Sequence, residues 1–224
     1  MKTIDQKFWY PWILNYSFGE LLGIGAAATI GRLLFAGFSD TALSQAVFLF
    51  PLILVIAGTL EGLIIGYVQW KSLSGLVINF RPRGWIIATT FAAIIGWLMI
   101  LPPSIVFISF LSSLKLIDNY YSLLYAGAAG VAFGGIIGFA QFFIIRKFYD
   151  KAYVWILANA IGWMLSFIIV YVALLTFSYT PSVIYNFIII ILSCGLSGLL
   201  QGIVTGTTLH FSMSMKASET KLIV

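Results

Sequence analysis

Three ionisable side chains stand inside otherwise apolar stretches of this chain: Glu20, Glu61 and Arg32. A charge in hydrocarbon is costly, so such residues are functional candidates by default. Glu20 lies nine residues into the first stretch and Glu61 nine from the end of the second. At 1.5 Å per residue both carboxyls sit roughly 13 Å deep if the two stretches pair as antiparallel helices. Two carboxyls that meet cannot both ionise easily, so one keeps a proton, giving a proton relay or cation site. The plainer alternative is hydrogen-bonded glue between helices. Arg32, near the far end of its stretch, either snorkels towards lipid headgroups and Asp40 or contacts an anionic substrate. A second set is uncharged. Gln69, Gln141 and Gln201 each follow a glycine by three residues, and Asn15 and Asn159 stand at comparable depth. Together they form a candidate polar ring, for interhelical hydrogen bonding or for lining a site.

The remaining chemistry is sparse. One cysteine, Cys194, and one histidine, His210, leave no disulfide pair, cysteine cluster or multi-histidine metal site. No Ser-His-Asp set, phosphate loop or dinucleotide fingerprint is present. The expectation is a non-enzyme with no catalytic residue, no metal and no cofactor.

The elements that hold these residues follow from composition. Of 224 residues, 61% are hydrophobic and 8% charged, with mean hydropathy +1.05. A soluble domain carries about 25% charged residues, so the solvent of this chain is lipid. Six apolar stretches are long enough to span a bilayer: 11–37, 46–70, 84–111, 122–146, 153–178 and 183–211. The first is too long for a cleaved leader and is expected to act as an uncleaved anchor.

Threading six spans places Lys2, Lys7, Lys71, Arg81, Arg83, Arg146, Lys147, Lys151, Lys216 and Lys221 on one side. Basic loops face the cytoplasm, which puts both termini there and removes the +5 net charge as a sign of nucleic-acid binding. Trp9, Tyr10, Trp12, Trp70, Trp85, Tyr153 and Trp155 gather at the same boundary and read as an aromatic belt at headgroup depth. The segment 72–80 is too short to span and is expected to lie along the inner surface, held by Lys71, Arg81 and Arg83.

An internal repeat organises the spans. The even ones share a phrase: Gly62-x3-Gly66-x2-Gln69, Gly134-x3-Gly138-x2-Gln141 and Cys194-x3-Gly198-x2-Gln201. The odd ones begin Trp12-Ile13-Leu14, Trp85-Ile86-Ile87 and Trp155-Ile156-Leu157 and continue to Gly19, Gly96 and Gly162. The expected fold is therefore all-α: a polytopic membrane protein of three tandem hairpins, 8–71, 81–147 and 151–212, with pseudo-threefold symmetry in a single membrane domain. Small residues four apart on each helix are expected to serve close packing. The acidic pair has no counterpart in the second and third hairpins, where Trp97, Phe133, Trp163 and Ser193 stand near equivalent positions.

The run Gly134–Phe142, the basic pair Arg146-Lys147 and the returning run Trp155–Trp163 resemble a pattern of bacterial, notably cyanobacterial, multi-pass proteins. Their hairpins carry Gly-x-x-Gln-Trp, a basic loop and a tryptophan-led return helix. Phe142 and Gly202 stand here where that tryptophan would be. The resemblance implies the repeat and a bacterial address, the plasma membrane or a thylakoid, and supplies no catalytic residue. The function expected is small-molecule or ion transport or binding, with Glu20 and Glu61 as the buried polar centre. The alternative is a non-catalytic accessory or scaffold subunit. Partners are then the bilayer, other membrane subunits, and a small ligand or lipid. A polar cavity reaching the carboxyls favours transport; a closed, dry core favours the scaffold.

Overall fold

The computed structural model describes residues 6–36, 43–77, 80–113, 119–177, 182–212 and 214–215, with the side chains of 6–7, 24, 27–49, 101–120, 177, 183, 212 and 214–215 outside that description. Six long helices carry the fold: α1 (Gln6–Ala36), α2 (Leu43–Leu73), α3 (Pro82–Ser113), α4 (Asn119–Ile145), α5 (Val154–Phe177) and α6 (Val183–Thr207). Such segments satisfy every backbone hydrogen bond internally, which lipid demands. Five of them, α2 to α6, are long and apolar enough to cross a membrane. A π-helical turn, Thr208–Ser212, extends α6. It leads to β2 (Ser214–Met215), antiparallel to β1 (Tyr149–Asp150) with Tyr149 opposite Met215.

Each helix packs on its neighbours in sequence, and α6 packs back on α1, closing a ring. Glycines set the approach distances. A methyl on Gly62 would meet Thr90 Cα at 2.5 Å, and one on Gly66 would meet Ile86 Cα at 3.1 Å, so α2 and α3 touch backbone to backbone. At the α4–α5 seam, a methyl on Gly138 would lie 2.9 Å from Ile156 Cα, and one on Gly134 would strike the Asn159 carbonyl. At the α6–α1 seam, a methyl on Gly202 would lie 2.8 Å from Ile13 Cα and one on Gly198 2.7 Å from Ser17 Cα. Ile86, Ile156 and Ile13 each directly follow a tryptophan, so these three seams share one register.

Two sequence expectations need correction. Trp12, Trp85 and Trp155 are buried, not part of a boundary belt, whereas Tyr10 and Tyr153 are exposed. The Trp12 and Trp85 rings each sit 6.1 Å from that of Trp155, so the three converge inside the ring. Nor do the described residues of the 72–80 segment, 72–77 and 80, simply lie along a surface: Leu73, Leu76, Val77 and Phe80 are buried with those tryptophans. The Trp70 indole N–H donates to the Phe80 carbonyl at 3.0 Å and ties the segment down. The reason is energetic, because these four side chains gain more inside an aromatic cluster than against headgroups. The segment therefore plugs the end of the ring that carries exposed Lys71, Arg81, Arg83, Arg146, Lys147 and Lys151, called the basic end below.

This plug makes a labelling prediction. In a Cys194→Ala background, a membrane-impermeant maleimide is expected to modify Gly75→Cys readily and Val77→Cys slowly, since Gly75 is exposed and Val77 buried. Equal rates, measured by mass spectrometry, would contradict the plug.

Candidate functional site

At the basic end an indole–amide network fills the ring. Trp85 donates to Gln69 Oε1 at 3.2 Å, and Trp155 donates to Gln141 Oε1 at 2.8 Å. Gln141 Nε2 donates onward to Gln69 Oε1 at 2.7 Å and to Thr89 Oγ1 at 2.8 Å. Gln69 Nε2 reaches the Tyr16 hydroxyl at 3.1 Å. The third seam departs from this pattern. Trp12 donates to Thr205 Oγ1 at 3.0 Å, and Gln201 Nε2 donates to Ser166 Oγ at 2.9 Å. Thus Gln69 and Gln141 meet, while Gln201 stands apart. Neither asparagine joins them: Asn15 Nδ2 bonds Ser72 Oγ at 3.2 Å, and Asn159 Nδ2 bonds the Trp155 carbonyl at 2.9 Å. An asparagine one turn from a buried carbonyl reaches it more easily than an amide across the ring.

The carboxyls occupy the next layer. Glu20 is 0% exposed and Glu61 is 1% exposed. Glu20 packs where α1 meets Gly198 of α6, and Glu61 packs where α2 meets Gly23 of α1. The two feel each other's charge, and both act on Tyr16 and Cys194. Trp97 of α3 donates its indole N–H to Glu61 Oε2. Glu61 Oε1 and both oxygens of Glu20 have no hydrogen-bond partner among the described residues. Gln201 adjoins Glu20, but its nitrogen is engaged by Ser166 and its Oε1 is unpartnered. The side chain of Arg32 lies outside the described residues, as does Asp40. At the basic end, burial pushes the Tyr149 hydroxyl above the usual phenol range.

Trp97 also belongs to a cavity of about 320 Å³ between α3, α4 and α5. Aromatic side chains from all three helices line it: Trp97, Tyr125, Phe133, Phe167 and Tyr171. On one side of it Phe133 packs edge-on against Trp163 at 4.4 Å and Phe167 at 5.5 Å. Gly96 admits that packing, since a methyl there would lie 2.6 Å from the Phe133 ring. Neither carboxyl lines the cavity.

Sequence reasoning missed Trp97 as the partner of Glu61, and Thr89, Ser166 and Thr205 as parts of the network. One signal pointed to Thr89: it follows Trp85 by four residues, as Tyr16 follows Trp12 and Asn159 follows Trp155, and all three are buried. Among the described residues no group of three or more His, Cys, Asp or Glu is placed to hold a metal. No protein-family model, curated protein or solved structure matches this chain.

Proposed function

We propose that this integral membrane protein binds a small apolar, ring-sized molecule in the α3–α4–α5 cavity, with Glu20 and Glu61 as a polar centre beneath it. The observation that carries this reading is the aromatic pocket over Trp97, whose far edge is hydrogen-bonded to Glu61. Its volume falls at the lower end of the range of about 300–1,000 Å³ typical of ligand sites, which are mostly apolar with few polar groups. Binding is favoured over translocation, because the cavity is apolar and Trp97 stands between it and the carboxyls.

That same separation favours a second reading, an accessory subunit of a larger membrane complex. Native purification with intact-mass measurement tests it, and a bare chain with lipid alone would count against it.

Three further parts of the proposal rest on named features. The arrangement as three tandem hairpins is supported by the shared register of the Gly66–Ile86, Gly138–Ile156 and Gly202–Ile13 seams. On that register Glu20 corresponds to Ala93 and Trp163, and Glu61 to Phe133 and Ser197. A basic end facing the cytoplasm follows from the distribution of Lys and Arg. A bacterial address rests on the Gly134–Phe142 phrase.

The cavity is tested with the purified protein and menadione, a ring-bearing quencher of indole fluorescence. Quenching is expected to saturate in the wild type and to fall to a linear, partition-like response in Ala129→Phe, which fills the cavity. A linear response in both would overturn the reading.

A further inference from the structure

We infer that the α4–α5 connection, residues 146–153, binds the headgroup of an anionic phospholipid. The inference concerns the outside of the ring at its basic end and is independent of the cavity.

Depth comes first. The membrane-spanning part of α4 ends at Ile145 and that of α5 begins at Val154. The residues between them, Arg146 to Tyr153, therefore stand at the level of lipid headgroups. Three of them are exposed cations: Arg146, Lys147 and Lys151. Against these stands Asp150, the only exposed acidic side chain among the described residues. The connection thus presents an excess of positive charge where phosphates lie.

The connection is also held in shape. Tyr149 and Ala152 are buried on either side of Asp150 and Lys151. Tyr149 and Asp150 pair in turn with Met215 and Ser214 across the two short strands. Between these anchors Lys151 takes a φ of 53°, in the left-handed region. A lysine stays there only where its surroundings impose it. The Arg146 guanidinium lies 5.1 Å from the Phe143 ring centroid and 5.6 Å from that of Phe142. Contact with two aromatic rings keeps its fork of donors at the edge of the membrane. Cations ordered in advance lose less freedom when they meet a phosphate.

What lies beneath selects the occupant. Phe143 and Phe139 of α4, and Leu157 and Ile161 of α5, are exposed within about two turns of the connection. A surface that is cationic at its end and apolar directly below complements a molecule with a negative phosphate and hydrocarbon chains. A soluble polyanion would engage only the charged half. Arginine grips a phosphate through two parallel N–H donors, and the lysines add point charge. A zwitterionic headgroup sets its own cation against the excess positive charge, so a net negative lipid is preferred.

The test uses the full purified chain in detergent, with bound lipid counted by native mass spectrometry. Phosphatidylglycerol is expected to bind about tenfold more tightly than phosphatidylcholine with the same acyl chains. That preference is expected to vanish when Arg146→Gln and Lys151→Gln are combined. It should persist when Lys71→Gln and Arg81→Gln are combined, which removes the same charge around the α2–α3 connection. No preference in the wild type, or equal loss in both double variants, would overturn the inference and leave only diffuse surface charge. Displacement of the lipid by excess inorganic phosphate would overturn the lipid assignment in favour of a free anion. Should the first double variant fail to fold, hydrogen exchange of the wild type decides. Residues 146–153 are expected to exchange more slowly in nanodiscs of phosphatidylglycerol than of phosphatidylcholine, and equal rates would overturn the site.

Discussion

Replacing Gly134 with valine is expected to cost about 3 kcal/mol of stability, the upper end for overpacking a dense interior. The first added carbon would strike the Asn159 carbonyl oxygen and lie 2.6 Å from that carbonyl carbon and 2.8 Å from Trp163 Cβ. Those are backbone atoms and the root of a side chain in the middle of α5, so they cannot swing aside. Relief requires α4 and α5 to separate, which forfeits the rest of their interface. The adjacent residue is the control. A methyl on Gly135 meets nothing within 4 Å, so Gly135→Ala should leave stability within about 0.5 kcal/mol. Equilibrium unfolding in mixed micelles, followed by helical circular dichroism, measures both. Equal effects at the two neighbouring positions would show that the α4–α5 seam does not limit stability.

Gln141→Leu is expected to cost about 2 kcal/mol. The side chain joins three partners, accepting from Trp155 and donating to Gln69 and Thr89. Hydrogen bonds inside membrane bundles average about 0.6 kcal/mol and reach about 1.7, so three of them set the scale. The loss also deprives the buried Trp155 N–H of its acceptor. Gln201→Leu is the comparison, since Gln201 makes a single side-chain bond, to Ser166, and should cost about 0.6 kcal/mol. The same unfolding assay ranks the two. A larger loss for Gln201→Leu would place the more important polar link on the α5–α6 side of the ring.

These contrasts mark how far sequence reasoning reaches. The glycine phrase named glycines that lie at the seams but misaligned the third span by one turn, because Gly202 and not Gly198 stands opposite Ile13 as Gly66 does opposite Ile86 and Gly138 opposite Ile156. The glutamines were visible in the same phrase, each three residues beyond a glycine. Their partners were not. Gln141 meets Gln69 from 72 positions away, and nothing local to either residue announces the other. Trp97 likewise reaches Glu61 across 36 positions. The tryptophans misled because an indole near a basic loop has two good environments, a headgroup layer or a buried site with an acceptor. Here Gln69, Gln141 and Thr205 supplied the acceptors, and burial followed.

The sequence by itself determined the solvent, the helical class and the repeated spacing. An 8% charge fraction leaves no way to cover a soluble surface, and a bilayer admits few backbones other than helices. What it left open was direction around each helix axis. A helix that is apolar on every side carries no amphipathic signal separating the lipid face from the protein face. Only ring closure settled which residues point inward: Glu20 turns towards α6 and Glu61 towards α1, the three tryptophans fill the basic end, and Phe133 lines a cavity.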